Sequence, residues 1–133
     1  MLFAALAAGA CSQAMPSDAK TDGVQRIEIT ESLLRNGGAD TLRFGRLHSG
    51  ETAVKSFILH NATSAPVVII RSDKSCNCAS MEFTRRPVMA GDETAVVCTF
   101  DTRGEYGWQF KLIKLWLSGA EEPLRIFIEA EVE

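Results

Sequence analysis

The stretch Ser56–Cys78, SFILHNATSAPVVIIRSDKSCNC, decides the fold. Phe57, Ile58 and Leu59 are bulky residues that favour a pleated, half-buried strand. Residues 61–65 (NATSA) are small or polar and show no helical period, so the chain turns there. Pro66 holds Ala65 in extended geometry and suits the first position of a strand. Val67, Val68, Ile69 and Ile70 are apolar and β-branched, which predicts a strand buried on both faces or nearly so. The expectation is an antiparallel pair joined by a short loop, running directly into Cys76-Asn77-Cys78.

The same signature recurs on both sides. Downstream, Ala79 to Phe83 forms a short strand with Met81 and Phe83 on one face, and Pro87 to Asp92 turns the chain around Gly91. Glu93 to Asp101 alternates, with Val96, Cys98 and Phe100 together. Phe110 to Leu117 has adjacent apolar residues, Leu112-Ile113 and Leu115-Trp116-Leu117, which imply burial on both sides or a bulge. In Pro123 to Val132, Leu124, Ile126, Ile128, Ala130 and Val132 face one way. Upstream, Val24 to Leu34 reads as a strand with room for a helical tail over residues 31–34; Asn36-Gly37-Gly38 turns, and Thr41 to Gly45 is a short strand. His48-Ser49-Gly50 turns the chain into a long strand ending at Asn61.

Seven to eight short antiparallel strands at regular spacing, without an amphipathic helix of any length, predict an all-β protein. Residues 24–133 are enough for one immunoglobulin-like β-sandwich, although the Cys-Trp-Cys core pattern of antibody domains is missing. The 133-residue chain is 46% hydrophobic, which supports a packed core. Its net charge of -3, with both signs interspersed, argues against a nucleic-acid partner, because phosphate contacts need a basic face.

Residues 1–10 are apolar and small, too few to span a bilayer, and fit the apolar part of a secretory signal. Ala8-Gly9-Ala10-Cys11 resembles the bacterial lipobox, with Cys11 as the lipidation site. No Lys or Arg precedes Cys11, which a start upstream of Met1 would explain. Residues 11–23, with Pro16 and Gly23, read as a flexible tether. The resulting expectation is a protein held to a membrane through lipid, in a bacterial cell envelope, on the outer membrane facing periplasm or surface.

Several pieces together resemble a family of bacterial envelope proteins common in Bacteroidetes, domain of unknown function 1573. They are Arg43-Phe44-Gly45, Phe57 to Asn61, Pro66 to Ile69, Ser75-Cys76-Asn77-Cys78, Ala90-Gly91-Asp92, Phe100-Asp101 and Gly107-Trp108-Gln109-Phe110. The resemblance covers roughly residues 41–132 and implies a sandwich like the ASH and PapD domains, and an envelope location. It assigns no activity. Asn77 stands where that family carries Gly; Asn is the next best residue at a positive φ, so the turn is kept.

No constellation for catalysis is present, and no cofactor is expected. His48 sits in a turn, His60 at a strand end, and neither has a nucleophile beside it. Glu121-Glu122 belongs to a solvated turn before Pro123. The cysteines form the reactive cluster. Cys76 and Cys78, with Met81 near, offer soft ligands for Cu(I), but a closed zinc site needs four ligands and no metal site is assigned.

Pairing Ala79–Phe83 with Glu93–Asp101 is expected to set Cys98 opposite Ala79, as a buried thiol. Cys76 and Cys78 are then accessible thiols at a strand end, since a bond between them closes a very small ring. Tyr106, Trp108, Trp116 and Phe127 either finish the core or mark an interface, and the small size of the domain favours the core. The functional expectation is a non-enzymatic, lipid-anchored binding or scaffolding module with a protein or glycan partner. The alternative is a metal- or redox-linked envelope protein using Cys76 and Cys78.

Overall fold

The computed structural model describes residues 24–133. The expected signal segment and tether, with the expected lipidation site Cys11, lie outside the described residues. Strand β1 (Gln25–Ile29) is followed by the short helix α1 (Glu31–Asn36), then β2 (Gly38–Leu47), β3 (Thr52–Asn61), β4 (Ile69–Lys74), β5 (Ala79–Glu82), β6 (Glu93–Asp101), β7 (Gly107–Leu117) and β8 (Leu124–Val132). They build two four-stranded sheets, in the orders β1-β3-β6-β5 and β2-β8-β7-β4.

Alternation along the strands makes the core. Each strand sends every second side chain between the sheets, and burying those apolar residues is the main stabilising term. Phe57, Leu59, Val96 and Phe100 from the first sheet meet Ile69, Ile126 and Ile128 from the second, all at 1% exposure or less. These are the core residues expected from the sequence. In β8 all five inward residues, Leu124 to Val132, are buried. Phe44 adds a T-shaped contact with Phe100, centroids 6.0 Å apart.

The turn-and-helix signals act locally. Thr30 caps α1 by accepting from Leu33 N–H at 3.1 Å, and Glu31 and Arg35 complement the helix dipole. Gly37 ends the helix at φ 80°, donating to Leu33 O at 2.8 Å. A Cβ there would stand 3.1 Å from Pro123 O, so both conformation and space ask for glycine.

Four details differ from the sequence expectation. The strands are not all antiparallel: β1 pairs with β3, and β2 with β8, in parallel. Hairpin turns fix the direction only of strands that they join, and β1 and β2 take partners far along the chain.

The two strands of the opening stretch do not pair with each other either. β3 lies in the first sheet and β4 at the edge of the second. The polar segment between them is a crossing rather than a hairpin turn, bonded through Ala62 N–H to Ile29 O at 2.9 Å. The apolar run is therefore not buried on both faces: Val67, just before the edge strand β4, and Ile69 are buried, whereas Ile70 is 47% exposed.

The pairing of β7 with β8 is unbroken, and the register shift falls in β4, between Ile69 and Arg71. Finally, Cys98 lies opposite Met81, and Ala79 opposite Phe100. This is a slip of two residues from the expected pairing, which a period of two allows without exchanging the faces. Part of the reason is Val88, which bridges to Val67 and draws the β5–β6 connection away from a tight turn.

Candidate binding surface and disulfide turn

The outward face of the second sheet is unusually aromatic. On β7 the outward residues are Trp108, Phe110, Leu112, Lys114 and Trp116; β8 contributes Arg125, Phe127, Glu129 and Glu131 beside them. Trp108 is 60% exposed and Phe110 54%, with Tyr106, at 71%, on the loop leading in. Phe110 stacks on Phe127 with centroids 4.9 Å apart and planes 11° off parallel. The expectation that these aromatics finish the core is therefore corrected. Gln109, Ile113, Leu115 and Leu117 take the inward positions of β7, so the residues between them must face out.

Charges frame this face. Arg43 pairs with Glu129 at 3.3 Å. Lys111, between outward Phe110 and Leu112, pairs with Glu105 at 3.2 Å at the strand's entrance. At the far end Arg71 lies 5.0 Å above the Trp116 ring, and Trp116 Nε1 donates to Asp73 Oδ2 at 2.9 Å. The Arg71 hydrogen bond, with a second from Trp116, holds the Asp73 carboxyl below the usual carboxylate range.

A shallow depression of about 250 Å³ opens beside Trp108, lined also by Arg43, Arg46, Glu129 and Glu131. It has a local cause. The β2–β8 register shifts between Arg43 and Gly45, and Gly45 sits at φ 77° with nothing within 4 Å of where a Cβ would be. The bulge re-aims β2 at the rim of the sheet.

The second feature is the connection from β4 to β5, Ser75 to Cys78. Here the structure corrects the expected free thiols: Cys76 and Cys78 are joined in a disulfide. The Asn77 turn brings their Cα atoms to 5.3 Å, within the range that a disulfide spans. Both are half-buried against the edge of the core. Cys98 is a free thiol at 0% exposure, as expected; burial pushes its pKa up to about 12.

His48 is exposed in its turn. His60 Nδ1 lies 2.6 Å from Glu28 Oε1 across the β1–β3 pair, and with Arg26 it keeps the Glu28 carboxyl below its usual range. Glu121 and Glu122 are exposed. Among the described residues no three His, Cys, Asp or Glu side chains converge as a metal site, and no helix is long and apolar enough to cross a membrane.

Asn61 has a role that the sequence alone does not announce. Asn61 ends β3 at 0% exposure; its Nδ2 donates to Ala65 O and to Val88 O, both at 2.8 Å. Its Oδ1 accepts from Thr63 N–H at 2.9 Å and lies 2.7 Å from Thr63 Oγ1. It ties together the two loops that cross that end of the sandwich. The signal in sequence was an Asn closing an apolar strand just before a small, polar segment.

Two facing sheets with these crossings define an immunoglobulin-like β-sandwich. Residues 37–132 match the family described as "Protein of unknown function (DUF1573)", and the chain belongs to that family. Solved structures share the fold. A protein of unknown function from Porphyromonas gingivalis W83 aligns with a TM-score of 0.61 at 18% identity, over 68% of this chain and 43% of that one. The VesB protease of Vibrio cholerae aligns at 0.58 with 15% identity, over 68% and 30%. A family 123 glycoside hydrolase from Clostridium perfringens aligns at 0.52 with 11% identity, over 70% and 23%. The chain thus spans less than half the length of each of these proteins, and at such identities the likeness concerns the fold alone. No curated protein matches the chain.

Proposed function

We propose that the protein is a non-enzymatic, lipid-anchored module of the bacterial envelope that binds a protein partner through the outward face of its second sheet. One observation carries the binding reading: Trp108 and Phe110 stand exposed on the same face of β7, with Phe110 stacked on Phe127, between charged side chains. Large aromatics and Arg are enriched where proteins meet, and exposed apolar patches of this kind mark contact sites. The Arg43–Glu129 pair and the Glu131 and Arg46 side chains supply a polar rim. The anchor reading rests on Ala8-Gly9-Ala10-Cys11 and the polar residues after it.

The test compares two exposed positions on opposite sheets. Trp108→Ala is expected to abolish co-purification of an envelope protein, while Val54→Ala, 61% exposed on β3, leaves it unchanged. Equal behaviour of the two variants overturns the assignment, and loss of retention on envelope polysaccharide in place of a protein replaces the protein partner with a glycan. Membrane fractionation of Cys11→Ala against the parent tests the anchor, which is refuted if the parent is soluble or its mass carries no lipid.

A further inference from the structure

The disulfide between β4 and β5 has the attributes of a working redox couple rather than of a staple. It spans a single intervening residue, Asn77, so it removes little freedom from the unfolded chain; the entropic return of a cross-link grows with the loop it closes.

Both flanks of the turn are pinned without it. Ser75 N–H donates to Leu112 O at 2.9 Å, and Ser75 Oγ accepts from Leu112 N–H at 3.0 Å. On the other side Cys78 O accepts from Asp101 N–H at 2.7 Å. These bonds run to β7 and β6, one in each sheet, and hold the ends of the turn whether the sulfurs are joined or not.

The turn is also reachable. Ser75 and Asn77 are exposed, and a depression of about 210 Å³, lined by Asp73, Lys74, Ser75, Leu112 and Lys114, adjoins it. Cys78 N–H points at Cys76 Sγ, 3.3 Å away, where it would stabilise charge on a departing sulfur.

We propose that Cys76–Cys78 is a reversible two-electron redox site that exchanges with an external dithiol. A thiolate of the dithiol attacks Cys78 Sγ, forms a mixed disulfide and releases Cys76 as a thiolate, under the Cys78 N–H. The second thiolate of the dithiol attacks the dithiol's first sulfur, the one bonded to Cys78, closes the dithiol's disulfide and releases Cys78 as a thiolate. Two electrons pass to the protein, two protons follow from solvent at neutral pH, and the external dithiol is oxidised. The reverse sequence re-forms the bond, because the pinned flanks keep the two sulfurs close. Cys98, at 0% exposure on the inner face of β6, takes no part. The site lies on the sandwich edge, so the proposal stands or falls separately from the aromatic binding face.

The experiment uses the full chain under native conditions, with dithiothreitol as the reductant and oxidised glutathione for the return, followed by acid quench and alkylation. Cys76 and Cys78 are expected to open and close together, with near-UV circular dichroism retained and Cys98 alkylated only in denaturant. A bond that resists dithiothreitol until the domain is unfolded overturns the proposal. So does unfolding on reduction, or failure of the two thiols to rejoin. With reduced glutathione and iodoacetamide present together, glutathione is expected on Cys78 and the alkyl group on Cys76; the opposite labelling overturns the order of attack. Cys76→Ser/Cys78→Ser, in a Cys11→Ala background, is expected to stay folded and to lose all native-state exchange, and any exchange that survives in it refutes the assignment.

Discussion

Replacing Asn61 by Ala tests the physical account of this sandwich most sharply. The side chain is at 0% exposure, so water cannot replace what is removed. Four hydrogen-bonding contacts end on it: two donations from Nδ2, to Ala65 O and Val88 O, and two received by Oδ1 from Thr63. At about 1 kcal/mol net for each bond, and more where a buried partner is left unpaired, the loss is about 3–5 kcal/mol. A small domain has only about 5–15 kcal/mol in total. At roughly 4–8 °C per kcal/mol for a domain of this size, the melting temperature falls by about 12–40 °C. Urea unfolding followed by tryptophan fluorescence gives the free energy, and Thr63→Val, which removes one hydroxyl, should cost only about 1 kcal/mol.

Asn61→Asp adds a check on sign. A carboxylate facing two carbonyl oxygens in a dry site has its folded pKa raised above its unfolded value of about 3.9. The native state then holds the proton longer than the unfolded state, so this variant is least destabilised below that value and loses stability as pH rises. A loss below about 1 kcal/mol for Asn61→Ala would mean that the two loops hold together without the side chain, and the argument from burial would be wrong.

Phe100→Ala removes a side chain at 0% exposure and should cost about 3–5 kcal/mol in the same unfolding assay. Cys76→Ser/Cys78→Ser should cost no more than about 1.5 kcal/mol, the chain-entropy return of so short a loop, read as a small shift in the urea midpoint. Trp108→Ala should leave stability within about 0.5 kcal/mol, since the ring is 60% exposed, whatever it does to binding. Carboxyl titration by NMR should find Glu28 below the ordinary range because of His60 and Arg26. The stabilisation tied to that lowered value is present above the unfolded carboxylate range and is lost as pH falls through the folded pKa.

The sandwich itself was legible wherever one face of a strand is buried and the other is not. Leu124 to Val132 and Val96 to Phe100 announce their inner residues by alternation alone, because period two is a direct image of the pleat. Which strand neighbours which was not legible. Local turn chemistry says that residues 61–65 bend, but whether the chain pairs back or crosses to the other sheet depends on contacts from Ile29 and Val88, far away in sequence. The aromatic face was hidden for a related reason. Leu112-Ile113 and Leu115-Trp116-Leu117 are apolar on both sides, so composition does not say that Trp116 lies outward, against Arg71 and Asp73. The disulfide was not legible because a bond across one intervening residue reads as a very small, strained ring, whereas the turn at Asn77 brings the two Cα atoms to 5.3 Å, within the range that a disulfide spans.

The parallel union of β2 with β8 also sets a timetable. Gly38 takes Leu124 as its partner and Leu47 takes Val132, so an early strand waits for the last one. β8 also stands between β2 and β7 in its sheet. A ribosome-bound chain that has not yet released β8 can assemble the hairpin-linked β5 and β6, but β2 has no neighbour to add to. Contacts between segments so distant in sequence make folding slow, measured in milliseconds to seconds for sandwiches of about this length. Until then Leu42 and Leu47, buried in the finished sandwich, lack the strand that pairs with theirs and stay exposed on the growing chain, where unpaired edges and apolar surface favour aggregation.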